Sequence, residues 1–181
     1  MTYANQLTIL RMAFVPVFLI LVAYGHPQGS LAVFVAAGLT DLLDGFIARN
    51  FGQNSTLGEL LDPIADKFLL VSSFLALTVQ KEVFELRIPL WLTITAISRD
   101  VLLLSGGLAI RLTLGKHRFP PSIFGKATTV LQLLTVFTVL LSSLVTGLGS
   151  FFDLVAIAAL AATIASGLHY AVRGIQIISR N

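Results

Sequence analysis

Four aspartates in two helically spaced pairs carry the clearest chemical signal of this 181-residue sequence. Asp41 and Asp44 are three positions apart and Asp62 and Asp66 are four apart, so each pair would share one helix face. Both pairs lie in apolar segments, where an ionised carboxylate costs at least ~2.5 kcal/mol at membrane depth. Such clustered oxygen ligands need positive charge and suit hard cations such as Mg²⁺ or Mn²⁺. Two such cations close together would suit phosphoryl chemistry.

Small residues and one arginine separate the two aspartate pairs. Gly45 and Gly58 would let a ligand approach the backbone closely, and Ala48 fits the same logic. Arg49 follows one helical turn after Gly45 and could hold a phosphate with its fork of donors. Each has a structural alternative, since small residues also pack membrane helices and an arginine can snorkel. The aspartates could instead be buried partners of Arg49, Lys67 or helix termini.

The composition predicts an all-α integral membrane protein. The chain is 56% hydrophobic and 12% charged, with a mean hydropathy of +0.90, whereas a soluble domain carries about 25% charged residues. Its size favours one membrane domain over 1–181, and no nucleic-acid partner is expected. The sequence has no cysteine, which excludes disulfides and thiolate metal sites. The start of the chain has no basic run, so we expect the first helix to be retained rather than cleaved.

Six apolar stretches each reach the ~20 residues that a membrane-spanning helix needs. Turns are predicted at 25–29 and 147–150, where Gly and Pro or Ser gather, and a charged loop at 81–87. The sequence therefore predicts a bundle of six transmembrane helices. They run roughly over 5–24, 31–50, 57–80, 90–111, 122–146 and 151–179.

Basic residues are distributed unevenly between the two ends of this bundle. The side opposite the termini has only Lys81 and Arg87. By the positive-inside rule the termini and the aspartate site face the cytoplasm, or the matrix in an organelle. A bacterial inner membrane is favoured over a mitochondrial one. The basic residues assigned to the side of the termini are Arg11, Arg49, Arg111, Lys116, Arg118, Lys126, Arg173 and Arg180.

Several basic residues outside the aspartate stretch are candidates for binding an anionic acceptor. Arg99 and Asp100 are adjacent, so they are expected to point to different faces and not to pair. Arg99 would then reach an anion in the bundle, or form an ion pair between helices. Other basic residues could form a phosphate pocket, or could only anchor the protein at anionic headgroups. These further candidates are Arg111, Arg118, Lys126 and Arg173.

Two other polar positions have weaker assignments. Arg11, one to two turns into the first helix, is expected to snorkel to the interface. With Asn5 and Thr8 it could touch a nucleotide, although Asn5 could equally cap the helix. His169 lies on a largely apolar helix and is expected to be a core or interfacial histidine rather than a ligand.

The complete pattern D-x2-D-G-x2-A-R-x8-G-x3-D-x3-D, from Asp41 to Asp66, resembles the signature of the CDP-alcohol phosphotransferases. The segments 5–11, 61–67, 97–100 and 125–126 resemble the phosphatidylglycerophosphate synthase and cardiolipin synthase branch. This resemblance implies six transmembrane helices, a homodimer in a lipid membrane and CDP-diacylglycerol as donor.

The resemblance also implies roles for the residues of the motif. The aspartates would ligate two divalent cations, Mg²⁺ or Mn²⁺, and Asp66 would also be the general base. The CDP group would contact the remaining motif positions. The implied cation ligands are Asp41, Asp44, Asp62 and Asp66, and the implied CDP contacts are Gly45, Ala48, Arg49 and Gly58.

The two candidates for the acceptor alcohol are phosphatidylglycerol and glycerol 3-phosphate. Typical phosphatidylglycerophosphate synthases have an arginine and a lysine where this sequence has Gly107 and Thr128. The lost charges would weaken a site for the glycerol 3-phosphate dianion, so cardiolipin synthesis from phosphatidylglycerol is favoured by a small margin. A cation channel or transporter, with the aspartates as its ion path, and a structural membrane subunit are the rival interpretations.

Overall fold

The computed structural model describes residues 3–51, 56–80, 83–114 and 123–178. Within these ranges, side chains are described except at 3–8, 42–51, 56–64, 108–114, 174–175 and 177–178. The regular secondary structure of the described ranges is entirely helical, which confirms the predicted all-α class. Their six helices are α1 (Tyr3–Ala23), α2 (Pro27–Phe51), α3 (Thr56–Val79), α4 (Leu90–Leu114), α5 (Ile123–Ser142) and α6 (Gly149–Ile178).

Two helices of the described ranges are long and apolar enough to cross a membrane. They are α5, Ile123–Ser142, and most of α6, Gly149–Arg173. At 1.5 Å per residue, the 20 residues of α5 extend about 30 Å, the thickness of a hydrocarbon core. A shorter apolar stretch of α1 covers Ile9–Ala23. The predicted number of six spans stays a prediction.

The helices group into two compact units. The first comprises Met1–Ile88 and Val136–Leu148, and the second comprises Pro89–Thr135 and Gly149–Asn181, so the division falls within α5. In the first unit, α1 packs against both α2 and α3. In the second unit, α4 packs against α6. The single membrane domain that the sequence suggests over 1–181 also stays a prediction.

The turn between α1 and α2 is shorter than predicted. Gly25 adopts the left-handed conformation with φ 72°, which glycine reaches without steric cost. Its N–H donates to the carbonyl of Val22 at 3.2 Å, and the N–H of His26 donates to the carbonyl of Leu21 at 2.8 Å. This pair of bonds is a Schellman cap, which ends α1 compactly. Pro27 then begins α2 four residues earlier than expected, because its fixed φ suits the first helical position.

The turn between α5 and α6 also differs from the prediction. α5 ends at Ser142, four residues early, and α6 begins at Gly149, two residues early. The N–H of Val145 donates to the carbonyl of Leu141 at 3.0 Å, which closes the last turn of α5. Gly147 has φ 83° and redirects the chain in a conformation that other residues rarely adopt.

The segment that follows α3 is packed onto the first unit rather than being a purely charged loop. Phe84 and Ile88 are buried. The N–H of Ile88 donates to the carbonyl of Leu77 at 3.3 Å. The N–H of Leu86 donates to Oγ of Ser142 at 3.2 Å, and both residues belong to the first unit. Apolar side chains between the charged ones therefore decide how this connection packs.

Candidate active site

A buried ion cluster joins the first three helices at the predicted aspartate site. Arg11 of α1 is only 1% exposed, and its guanidinium contacts one carboxylate from each of the next two helices. Its Nη2 lies 2.9 Å from Oδ1 of Asp41 on α2, and its Nη1 donates to Oδ1 of Asp66 on α3. One aspartate from each predicted pair therefore meets at the same side chain.

This contact shows that the expectation for Arg11 is wrong. The sequence suggested that it would snorkel to the membrane interface, yet the structure buries it between two carboxylates. A guanidinium enclosed by apolar helices is stabilised by carboxylate partners in place of water. The missed signal was that Arg11 is the only charged residue in the sequence of α1. An isolated charge of this kind can indicate a counter-charge on a neighbouring helix.

An apolar cluster lies one helical turn from each member of the ion cluster. Val15, Ala37 and Leu69, one from each of the three helices, pack together in the core of the first unit. In the sequence, Val15 follows Arg11 by four positions, and Ala37 precedes Asp41 by four. Leu69 similarly follows its aspartate by three. Residues at these spacings share a helix face, so the packing of the apolar cluster sets the positions of the charged groups.

The other motif residues are placed only by their backbone. α2 includes Asp44, and α3 includes Asp62, each one helical turn from the aspartate that contacts Arg11. Their side chains lie outside the described part of the structure, as do those of Ala48 and Arg49 in α2. Gly45 and Gly58 likewise lie in α2 and α3 at the predicted spacing, with no described contacts.

The donor set fits hard divalent cations. The side chains of Asp41 and Asp66 are 49% and 44% exposed, so both carboxylates have an accessible side although Arg11 is buried behind them. Carboxylate oxygens are the ligands that Mg²⁺ and Mn²⁺ prefer. Four ionised aspartates and one arginine would leave three net negative charges, 4 − 1, for cations to balance. Among the described side chains alone, no three acidic, histidine or cysteine residues converge.

In the second unit, Arg99 and Asp100 form a buried ion pair, so the expectation that these neighbours do not pair is wrong. Nη1 of Arg99 donates to Oδ1 of Asp100 at 2.8 Å, and both side chains are less than one tenth exposed. Nη2 of Arg99 donates to Oγ of Ser166 on α6 at 2.7 Å. Because an unpaired charge is costly in a buried position, the long arginine side chain bends toward its sequence neighbour. The pair therefore also ties α4 to α6.

The remaining acceptor candidates are dispersed in the chain. Lys126 is exposed near the start of α5, and Arg173 is partly buried near the end of α6. Arg111 belongs to α4, but its side chain is outside the described part, and Arg118 lies outside the described residues altogether. Their role in acceptor binding stays a prediction, as does that of Arg99.

His169 takes part in an aromatic contact. Its ring centroid lies 5.4 Å from that of Phe124 and 6.1 Å from that of Tyr170, with tilted and edge-on geometries respectively. Such spacings are typical of packed rings. This agrees with the expectation of a packing histidine.

The two positions that bear on the choice of acceptor are both neutral. Gly107 lies on α4, and a Cβ built there would meet nothing within 4 Å. Thr128 on α5 is fully buried. Its hydroxyl lies 2.8 Å from the carbonyl oxygen of Phe124 and 2.9 Å from that of Ala162 on α6. The Thr128 side chain is thus engaged with the backbone of its own unit.

Comparison with known proteins gives a consistent result. Residues 1–168 match the CDP-alcohol phosphatidyltransferase family. A human protein named cardiolipin synthase (CMP-forming) is 38% identical over 151 residues, covering 75% of this chain and 48% of that protein. A Streptomyces coelicolor protein of the same name is 38% identical over 152 residues, covering 79% and 66%. A probable phosphatidylglycerophosphate synthase of Mycobacterium tuberculosis is 34% identical over 140 residues, covering 74% and 63%.

The matches cover only part of the length of these relatives. The chain spans about half the length of the human relative, and a little under two thirds of the two bacterial ones. The family match includes the whole aspartate motif between 41 and 66, together with α1, whose arginine contacts that motif. This chain therefore belongs to the CDP-alcohol phosphatidyltransferase family.

Proposed function

We propose that this protein is a metal-dependent transferase of phospholipid synthesis. It moves a phosphatidyl group from CDP-diacylglycerol to a glycerol-type hydroxyl and releases CMP. The observation that supports this most directly is the contact of Arg11 with both Asp41 and Asp66, because it joins the two halves of the family motif at one place. Family membership supports the reaction type.

The proposed reaction needs one proton acceptor. The acceptor hydroxyl oxygen forms a bond to the phosphorus that bears diacylglycerol, and the bond from that phosphorus to the bridging pyrophosphate oxygen breaks. CMP leaves with this oxygen, and the hydroxyl proton passes to the carboxylate of Asp66. Asp66 suits this role because its carboxylate is partly exposed and is oriented by Arg11.

The four aspartates are the proposed ligands of two divalent cations, Mg²⁺ or Mn²⁺. When bound, these cations would neutralise the pyrophosphate and stabilise CMP as a leaving group. Two of the four, Asp41 and Asp66, are already held close to one another by a shared arginine in the first unit. Asp44 and Asp62 would complete the ligand set from one turn away on the same helices.

The small residues of the motif are the proposed contacts of the CDP group. At Gly45, Ala48 and Gly58, short or missing side chains would let the nucleotide approach the helix backbone. Arg49 would donate a fork of hydrogen bonds to a phosphate. These roles follow from the positions of the four residues in the motif, and measurements of nucleotide binding would test them.

Exposed apolar and buried polar side chains support a membrane location. In the second unit, Leu102, Leu154 and Ile157 are each more than 55% exposed, whereas Gln132 and Thr135 are buried. Water would disfavour this arrangement, while lipid tails accept exposed apolar side chains readily. We propose six membrane spans and a homodimer. The distribution of Lys and Arg supports an active site that faces the cytoplasm of a bacterial cell.

Phosphatidylglycerol is the proposed acceptor, which would make cardiolipin the product. The glycerol 3-phosphate dianion would require more positive charge than a phosphodiester, yet Gly107 and Thr128 supply none. Two of the relatives described above are named cardiolipin synthase. Glycerol 3-phosphate is the second candidate, because a third relative is named as a probable phosphatidylglycerophosphate synthase.

A product assay with each acceptor offered separately tests this proposal. The protein in nanodiscs receives CDP-diacylglycerol and Mg²⁺, with either phosphatidylglycerol or glycerol 3-phosphate. We expect cardiolipin and an equal amount of CMP with phosphatidylglycerol only. Phosphatidylglycerophosphate as the sole product would instead establish the second acceptor. If neither acceptor released CMP from folded protein, the transferase proposal would be wrong.

A further inference from the structure

The burial of Arg11 sets it apart from the other charged groups of the candidate site. Its side chain is 1% exposed, whereas the two carboxylates that it contacts are about half exposed. A guanidinium with so little accessible surface can make few direct contacts with a substrate. Its contacts with Asp41 and Asp66 reach α2 and α3 at once.

We infer that Arg11 is a built-in counter-cation: it stabilises Asp41 and Asp66 before divalent cations bind, and the cations then bind against its positive charge. The inference rests on the metal site of the proposed function. It makes Arg11 a positioning residue that acts through the aspartates. It also explains how clustered carboxylates can remain on packed helices when no cation is bound.

The expected sign of the effect follows from the charges. Without Arg11, the clustered carboxylates would repel one another, which destabilises the cation-free protein most. A cation bound beside the arginine is repelled by it, and this repulsion would also disappear. The loss of this repulsion would raise the affinity for the cation. The carboxylates would also be less well ordered without Arg11, and the entropy lost when a cation orders them would lower that affinity. This entropic effect on the affinity is smaller than the effect of removing a full positive charge at such short range.

Arg11→Gln is the variant that tests this inference. The glutamine can still donate a hydrogen bond but carries no charge. We expect a lower Tm in EDTA than for the natural protein, and a larger rise in Tm on adding Mn²⁺. We expect Mn²⁺, followed by electron paramagnetic resonance, to bind tighter by about tenfold or more, since a like charge nearby is worth at least that factor.

Two further variants separate charge from packing. Arg11→Lys keeps the charge, so its Mn²⁺ affinity should stay within about threefold of the natural protein. Arg99→Gln removes another buried, aspartate-paired arginine, in the second unit. It should lower Tm equally in EDTA and in Mn²⁺ and leave the affinity for Mn²⁺ unchanged, because its partner is not a proposed ligand.

Failure of this inference can be told apart from failure of the proposed transferase activity, because none of these measurements uses a lipid substrate. Unchanged or weaker Mn²⁺ binding in Arg11→Gln would overturn the inference. So would failure of that variant to fold in the presence of Mn²⁺, because the bound cations should replace the missing charge. Equal gains in affinity for Arg11→Lys and Arg11→Gln would also overturn it. Failure of the natural protein to bind Mn²⁺ would instead contradict the proposed metal site.

Discussion

Asp66 combines two properties that a proton acceptor needs. Its carboxylate is oriented by a contact with a buried arginine, and it still exposes 44% of its side chain. A general base must reach the hydroxyl that it deprotonates, and its geometry matters as much as its basicity. The proposed proton transfer therefore depends on this carboxylate more than on any other group.

We predict that Asp66→Asn lowers the rate of phosphatidyl transfer by at least about a hundredfold, since general bases contribute roughly 10²–10⁴. CMP release measures the rate, and size-exclusion chromatography checks that the variant is folded. Asp153→Asn is the matched control, because Asp153 is exposed at the start of α6. Turnover of Asp66→Asn within about tenfold of the natural rate would remove the base assignment.

The buried ion pair of the second unit should contribute to stability. Asp100→Ala should lower the free energy of unfolding by about 3–5 kcal/mol, because it leaves the buried Arg99 without this carboxylate. Unfolding by SDS in mixed micelles measures the change, and the exposed Asp153→Ala serves as control. A loss no larger than that of the control would show that the pair contributes little to stability.

The first three helices position the site through the register of their apolar faces. Ala37 of α2 is fully buried in the apolar cluster, one turn from Asp41. At the neighbouring Gly38, an added methyl group would lie in open space. Adjacent positions on one helix thus differ sharply in the room available. A change in packing at the first position should be transmitted to the charged groups one turn away.

We predict that Ala37→Leu overpacks this cluster, costs about 1–3 kcal/mol of stability and also lowers transferase activity. Gly38→Ala is the matched control. It adds a methyl group to the same helix in open space and should raise stability by up to about 1 kcal/mol through helix propensity. Thermal unfolding in detergent and CMP release give the two readouts. Equal behaviour of the two variants would contradict the role assigned to the register.

The sequence predicted each of the six helices in the described ranges, but not all of their ends. Long apolar runs are a strong signal, whereas the start of α2 depends on a left-handed Gly25 and a Schellman cap, which spacing alone does not reveal. The motif predicted which helices carry the aspartates. It could not identify Arg11 as their partner, because that contact joins residues 55 positions apart. The pairing of Arg99 was missed because a flexible side chain can bend toward its neighbour.

The proposed activity requires the helices to lie in a membrane with a defined orientation. α6 is the most favourable helix for testing this orientation, because it contains a 25-residue stretch that is long and apolar enough to span a bilayer. Its two ends are marked by Thr146, exposed in the preceding turn, and Gln176, exposed near its end. The sequence has no cysteine, so a single introduced cysteine would be the only labelling site.

We predict that Thr146→Cys is labelled by a membrane-impermeant maleimide only from outside the cell, and Gln176→Cys only from the cytoplasmic side. Right-side-out and inverted vesicles provide the two tests. Labelling of both positions from one side would show that α6 does not span the membrane. Labelling from the reversed sides would show that the site faces away from soluble nucleotides.

The proposed function requires the aspartates and Arg11 to form a cation-dependent site that cleaves a nucleotide-linked lipid. Release of radiolabelled CMP from CDP-diacylglycerol, by the purified protein with phosphatidylglycerol, measures this cleavage. We predict CMP release that requires Mg²⁺ or Mn²⁺, requires the acceptor, and stops when EDTA is added. Cation flux through the reconstituted protein without any CMP release would contradict it.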